Sequence, residues 1–299
     1  MTELKDTVRS FWEQTSCGEI YAAGGDAQQC FEAQARARYA MEPFIFPFAQ
    51  FPQGLNKDVL EIGVGMGADH VEWARCGPRS LAGIDLTDRA VKFTQARLSQ
   101  FGLHSDVRVA DAEHLPFPSS SFDIVYSWGV LHHTPDTSRA INEVWRVLRP
   151  GGSARVMIYH HPSLVGYMLW VRYALGAGRP STSIREVYSH HLESPGTQAF
   201  SVLDALRLFG RFSKITASIQ LSNGDLLEGE AGQRHKGHVL SAARLIRPRW
   251  LIRRAGRRLG LFLLIDAVKW HAVVHSWRPA MRGGSACLDR FPVGISGTA

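Results

Sequence analysis

Three features of the sequence predict an α/β protein built on a doubly wound, mostly parallel sheet. From about residue 58, short β-rich runs alternate with amphipathic helical patterns, the rhythm of strand–helix–strand units. The first run ends in a glycine-rich turn, Glu61-Ile62-Gly63-Val64-Gly65-Met66-Gly67, directly before a helical pattern. Carboxylates close the next two runs, at Asp85 and Asp111.

Each element follows from local pattern. Strands are predicted over 58–62, 80–85, 106–110, 122–127 and 153–159, where branched and aromatic residues concentrate. Helices are predicted over 68–76, 87–101 and 137–148. The last is marked by Ile141, Val144, Trp145 and Leu148 at helical spacing, with Pro150-Gly151-Gly152 expected to terminate it. A helix over 202–209 precedes a strand-like run over 212–221, and 260–268 is a candidate closing strand. Residues 1–56 are expected to form an N-terminal helical cap, and 57–280 the main domain. Insertions at 161–200 and 222–258 are expected to serve as a substrate lid. Residues 281–299, rich in Gly and Ser, are expected to form a flexible tail.

Composition narrows the class. The chain has 299 residues, 45% hydrophobic and 20% charged, with 28 Gly and 14 Pro, which excludes a disordered, collagenous or coiled-coil chain. Cys17, Cys30, Cys76 and Cys287 form no CxxC pair and fit a reducing cytoplasm, where thiols stay free. The first ten residues show no secretory pattern. The most apolar stretches, 164–171 and 259–265, are far shorter than the roughly 20 residues of a bilayer crossing. The formal charge is +7, and seven arginines between Arg244 and Arg258, with no acid among them, account for all of it. That run is a local patch, suited to an anionic lipid surface or an acidic carrier domain, or simply a solvated face. Nucleic acid is not expected, because basic residues are neither spread nor interleaved with aromatics.

The glycine loop lets backbone approach a ligand at a helix N-terminus. Gly63-x-Gly65-x-x-Ala68 also satisfies the dinucleotide fingerprint, so an NAD(P)-dependent oxidoreductase is an alternative, as is a non-enzymatic adenosine-binding or membrane-peripheral module. Three carboxylates favour adenosine without phosphates. Asp85 stands where a carboxylate can accept both ribose hydroxyls, and Asp111 where one can accept from an adenine amino group. Glu61 beside the loop would repel a pyrophosphate but attract an ammonium.

With these, Phe122-Asp123-Ile124-Val125-Tyr126-Ser127, Val130-Leu131-His132-His133 and Arg149-Pro150-Gly151-Gly152 follow in order. The chain thus resembles the class I S-adenosylmethionine-dependent methyltransferases, strongly over about 55–160 and weakly beyond. It looks closest to the small-molecule, quinone-biosynthesis-like branch. The resemblance implies a Rossmann-like seven-stranded sheet with an antiparallel last strand. It implies transfer of a methyl group to O, N or C of an apolar or aromatic small molecule. It also implies that S-adenosyl-L-methionine is held by Glu61, Gly63, Gly65, Gly67, Asp85, Leu86, Asp111, Ala112, Ser127 and Trp128.

Ligands of such sheets sit beyond the carboxyl ends of the strands, so side chains there are the catalytic candidates. His160 is the favoured general base, with Tyr159 beside it and His133 as a second candidate. Trp12, Tyr21, His132, Tyr167 and Trp170 are candidate substrate contacts in an enclosed, mainly apolar site. His190-His191 and Glu193 invite a metal, but adjacent histidines diverge and no HxxxH spacing accompanies them, so no metal is expected.

Overall fold

The computed structural model describes residues 3–22, 26–226 and 256–270. The strands are β1 (Asp58–Ile62), β2 (Ser80–Asp85), β3 (Asp106–Val109), β4 (Phe122–Trp128), β5 (Leu148–Tyr159), β6 (Lys214–Gln220) and β7 (Phe262–Val268). They form one sheet in the order β3-β2-β1-β4-β5-β7-β6. Every pairing is parallel except those of β7, which runs antiparallel to both β5 and β6.

Helices cover both faces. α1 (Glu3–Gln14), α2 (Ala27–Met41) and α3 (Ile45–Ala49) precede the sheet, as expected of the N-terminal segment. α4 (Ala68–Arg75), α5 (Asp88–Gln100) and α6 (Thr137–Val147) connect the first strands. α5 and α6 start where Thr87 and Asp136 accept from backbone N–H groups one turn on, satisfying the exposed helix end. α7 (Leu164–Trp170), α8 (Ile184–His191) and α9 (Val202–Leu208) follow β5.

Strand alternation sorts the core. Leu60, Ile62, Val125, Val156 and Ile158 pack on one face against Ile141 and Val144 of α6 and Ala205 of α9. Val59, Ile124, Tyr126, Trp128, Met157 and Tyr159 pack on the other with Ile45, Phe51 and Trp73. β5 begins at Leu148, five residues earlier than predicted, so Pro150-Gly151-Gly152 lies inside a strand. A register shift against Phe122 and Ile124 accommodates it. Gly151 adopts φ 80°, and a Cβ on Gly152 would stand 2.9 Å from the Asp123 carbonyl oxygen. The glycines therefore open an irregular strand, where turn chemistry alone reads as a helix stop.

The predicted insertion at 222–258 lies outside the described residues between 227 and 255, as does most of the arginine run. The tail at 281–299 and Cys287 lie outside them too. Among the described residues no helix is long and apolar enough to cross a membrane.

Arg97 of α5 ties the N-terminal helices to the glycine loop. Its guanidinium donates to Gln34 Oε1 at 2.7 Å, to the Met66 carbonyl at 2.9 Å and to the Phe31 carbonyl at 2.6 Å. Burial lowers its pKa to about 10, so it remains cationic at neutral pH. Arg97→Met strands three acceptors and is expected to cost roughly 2–4 kcal/mol, read as a lower urea midpoint at unchanged m-value.

Candidate active site

A cavity of about 930 Å³ opens along the sheet edge where β1, β2, β4 and β5 end. Parallel strands deliver their carboxyl ends to one edge, so residues far apart in sequence meet there. Glu61, Gly63, Gly65, Asp85 and Leu86 line one end, with Asp111 and Ala112 beside them. Gly65 adopts φ 52° with nothing within 4 Å of where a Cβ would stand. Its bare backbone faces open space, the geometry a close-lying ligand needs.

The three carboxylates are held differently. Asp85 accepts from the backbone N–H of Gly65 at 3.1 Å, and from Thr87 N–H at 3.0 Å and hydroxyl at 2.8 Å. Burial nevertheless raises its pKa above the usual carboxylate range. Asp111 accepts from the Glu113 N–H at 2.9 Å and from Lys5 Nζ of α1 at 2.6 Å. Burial pushes Asp111 up, but the Lys5 bond and charge prevail and leave it below its ordinary value.

Glu61 is enclosed, and desolvation, with Asp69 second, raises its pKa well above the ordinary value. It lies 2.9 Å from His70 Nδ1. The other nitrogen of that ring, Nε2, is 2.8 Å from Ser105 Oγ, whose proton goes to the Leu81 carbonyl at 2.9 Å. Ser105 therefore accepts from Nε2–H, and Nδ1 accepts from Glu61. Burial holds His70 neutral, with its pKa lowered to about 3. Burial and this hydrogen-bond relay together favour the protonated form of the Glu61 carboxyl.

At the other end, Trp128 of β4 and Tyr159 of β5 line the cavity with Phe262 of β7. His133 follows β4 on a 3₁₀ turn, Leu131–His133, and also faces the cavity. His133 Nδ1 shares hydrogen bonds with Ser194 Oγ at 2.8 Å and Thr197 Oγ1 at 3.1 Å, and Thr197 gives its own proton to the Ser194 carbonyl at 2.6 Å. Nε2 stands 3.3 Å from Glu193 Oε2.

Residues 60–156 match the family model described as a methyltransferase domain. This stretch of the chain is similar to methyltransferase domains. Over 96 residues it is 35% identical to 27-O-demethylrifamycin SV methyltransferase of Amycolatopsis mediterranei, covering 31% of this chain and 35% of that protein. Over 98 residues it is 42% identical to phthiotriol/phenolphthiotriol dimycocerosates methyltransferase 1 of Mycobacterium ulcerans, covering 32% and 35%. The aligned stretch spans about a third of the length of these curated relatives. In fold, the chain is similar to the geranyl diphosphate C-methyltransferase of Streptomyces coelicolor, at TM-score 0.57 and 15% identity over 90% of this chain and 98% of that one.

Several predicted residues of the methyltransferase domain and its flanks stand away from the cavity. His160 is turned from it, with Nδ1 2.9 Å from the Gly260 carbonyl. Successive strand residues point to opposite faces, so Tyr159 and His160 cannot both enter one site. Tyr159 does enter, but its phenol donates to Glu193 at 2.6 Å, and burial followed by the Glu193 charge keeps it protonated. It is a donor and no base. His132 lies fully buried under the Tyr159 ring, centroids 3.9 Å apart. Ser127 donates to the Ile62 carbonyl at 3.1 Å, joining β4 to β1. At Gly67 a Cβ would meet Thr94 at 2.9 Å, so that glycine serves helix packing. Trp170 donates to the Thr182 carbonyl at 2.8 Å and braces its segment from outside.

Trp12, Tyr21 and Tyr167 do line the cavity, and the Trp12 ring stands edge-on to His133 at 5.3 Å. His191 instead stacks on Tyr173 at 3.9 Å, so the His190-His191 doublet is separate from the site. The groups that converge are His132, His133 and Glu193, whose ligand atoms lie within 4.8 Å. Lys5, Arg38, Glu42 and Glu193 were not predicted from sequence. Only Glu193 carried a signal, as the carboxylate following one of three His–His pairs, and the pair it meets in space is His132-His133.

Folding moves Glu61 into a site that favours its protonated form, so above the unfolded carboxyl pKa of about 4.3 folding must take up a proton, and stability from this residue declines as pH rises. Gln needs no proton and keeps a donor for His70. Glu61→Gln is therefore expected to melt at the same or a higher temperature near pH 7, with the gain vanishing near pH 4, in paired thermal scans.

Proposed function

We propose that this protein transfers the methyl group of S-adenosyl-L-methionine to an apolar or aromatic small molecule, with His133 as general base. One observation carries the reading: a single cavity joins the carboxylate-lined glycine loop to an aromatic chamber lined by the His133–Glu193 pair. When bound, the donor supplies an electrophilic methyl on a sulfonium. Asp85 would accept the ribose hydroxyls, Asp111, anchored by Lys5, the adenine amino group, and Glu61 the ammonium. Protonated Glu61 releases its proton as that cation arrives, since the opposite charge offsets desolvation.

The chain's remaining work is to align the acceptor, exclude water and move one proton. His133 Nε2 takes the proton, and Glu193 stabilises the imidazolium. The residues of α1 and the 161–200 segment that line the chamber serve as cap and lid. The names of the rifamycin and phthiotriol relatives support a small-molecule acceptor. A cytoplasmic setting is supported by Cys17 and Cys76 being free thiols.

Calorimetric titration with S-adenosyl-L-methionine is the direct test, followed by mass spectrometry of cell extract incubated with isotopically labelled donor. Asp85→Ala, and Gly65→Arg, which projects a side chain into the open space beside the loop, are each expected to abolish donor binding. Unchanged affinity in either variant would overturn the assignment. His133→Gln is expected to keep donor affinity while lowering kcat by roughly 10²–10⁴-fold in single-turnover assays.

A further inference from the structure

The aromatic end of the cavity is built as one continuous wall. The rings of Tyr159 and Phe262 stack at 6.0 Å and 7°, and Trp128 meets Phe262 edge-on at 6.2 Å. A carboxylate is tied to each end of the wall. Glu42 accepts from Trp128 Nε1 at 3.1 Å, and Glu193 accepts from the Tyr159 hydroxyl at 2.6 Å. His133 lines the same space, with its Nε2 buried 3.3 Å from Glu193 Oε2.

Charge in the cavity is unbalanced. Six carboxyl groups line it (Glu42, Glu61, Asp69, Asp85, Asp111 and Glu193), of which Glu61 favours its neutral form, against three cationic side chains among the described residues. Two of those cations are directed elsewhere, and the third, Arg38, is shared between Asp69 and Glu42. Lys5 binds Asp111 and Glu113, each at 2.6 Å, and Arg172 lies over the Tyr173 ring at 5.1 Å. Arg38 gives Asp69 bonds of 2.6 and 3.0 Å and stands 3.7 Å from Glu42. Burial raises the Glu42 pKa above its ordinary value, with the Asp69 and Glu193 charges adding to it and Arg38 opposing. The donor, with a sulfonium, an ammonium and a carboxylate, brings a net charge of only +1.

We infer that the acceptor end, between Glu42 and Glu193 and against the Trp128–Phe262–Tyr159 wall, is a binding site for a protonated amine with an apolar body. This assignment rests on the methyl-transfer reading above and narrows its acceptor to nitrogen. Aromatic faces and desolvated carboxylates both attract an ammonium. A carboxylate substrate would be repelled, and a phenol beside two carboxylates would lose its proton with difficulty. A neutral alcohol gains nothing from the field. The ammonium gives one proton to His133 Nε2. The freed nitrogen lone pair then bonds the methyl carbon as the carbon–sulfur bond breaks with its electron pair to sulfur. The products are an N-methylated ammonium and a neutral thioether, and His133 passes its proton to solvent.

The test is a binding series on the full chain saturated with S-adenosylhomocysteine, by calorimetry with 3-phenylpropylamine, 3-phenylpropanol and 3-phenylpropionate. These probes match in size and differ in charge. The amine is expected to bind roughly tenfold tighter than the alcohol, with the carboxylate weakest. In the double variant Glu42→Gln, Glu193→Gln the preference is expected to fall below about twofold, with affinity for S-adenosylhomocysteine retained. Equal or better binding of the alcohol or the carboxylate, or a preference that survives in the double variant, overturns the amine assignment. Failure of the wild-type chain to bind S-adenosylhomocysteine would instead remove the methyl-transfer reading on which it rests.

Discussion

Parallel strands all present their carboxyl ends at one edge of the sheet, and the rest of the architecture depends on that constraint. The ends of β1, β2, β4 and β5 carry Glu61, Asp85, Trp128 and Tyr159 into one cavity, and the start of antiparallel β7 adds Phe262 to the same edge. The helices between strands keep both faces of the sheet dry, so the polar groups at the edge sit in a low-dielectric setting where single charges matter.

Electrostatics then divides the cavity. At the glycine-loop end each carboxylate is held by identifiable partners: backbone N–H groups and Thr87 for Asp85, Lys5 for Asp111, and His70 for Glu61. The N-terminal helices contribute charge to this end through Lys5 of α1 and Arg38 of α2. At the aromatic end Glu42 is tied to Trp128 with Arg38 3.7 Å away, and Glu193 to Tyr159, a donor without positive charge. Their field is directed at whatever occupies the chamber.

Much of the fold was legible in the sequence because it rests on local physics. The strands β1, β2 and β4 and the helices α5 and α6 were visible as periodicity, caps and turn residues, and their bounds differ little from those predicted. β5 was misjudged at its start, because Pro150-Gly151-Gly152 looks like a helix stop and only pairing with β4 reveals a strand. The preference for His160 over His133 ignored a local rule that was available, since Tyr159 and His160 alternate across the sheet. Ser127 and Gly67 were grouped with ligand-binding residues by motif position, whereas their contacts serve β4–β1 pairing and α4–α5 packing.

What the sequence determined by itself was the parallel sheet, the glycine loop and the carboxylates at strand ends, because each is written in a short stretch governed by periodicity and backbone geometry. Tertiary structure alone decided that Lys5 meets Asp111 across 106 residues, that Glu193 joins His133 and Tyr159, and that Glu42 faces the same chamber. The physical reason is that charge pairing and desolvation depend on distance in space, which no local pattern encodes.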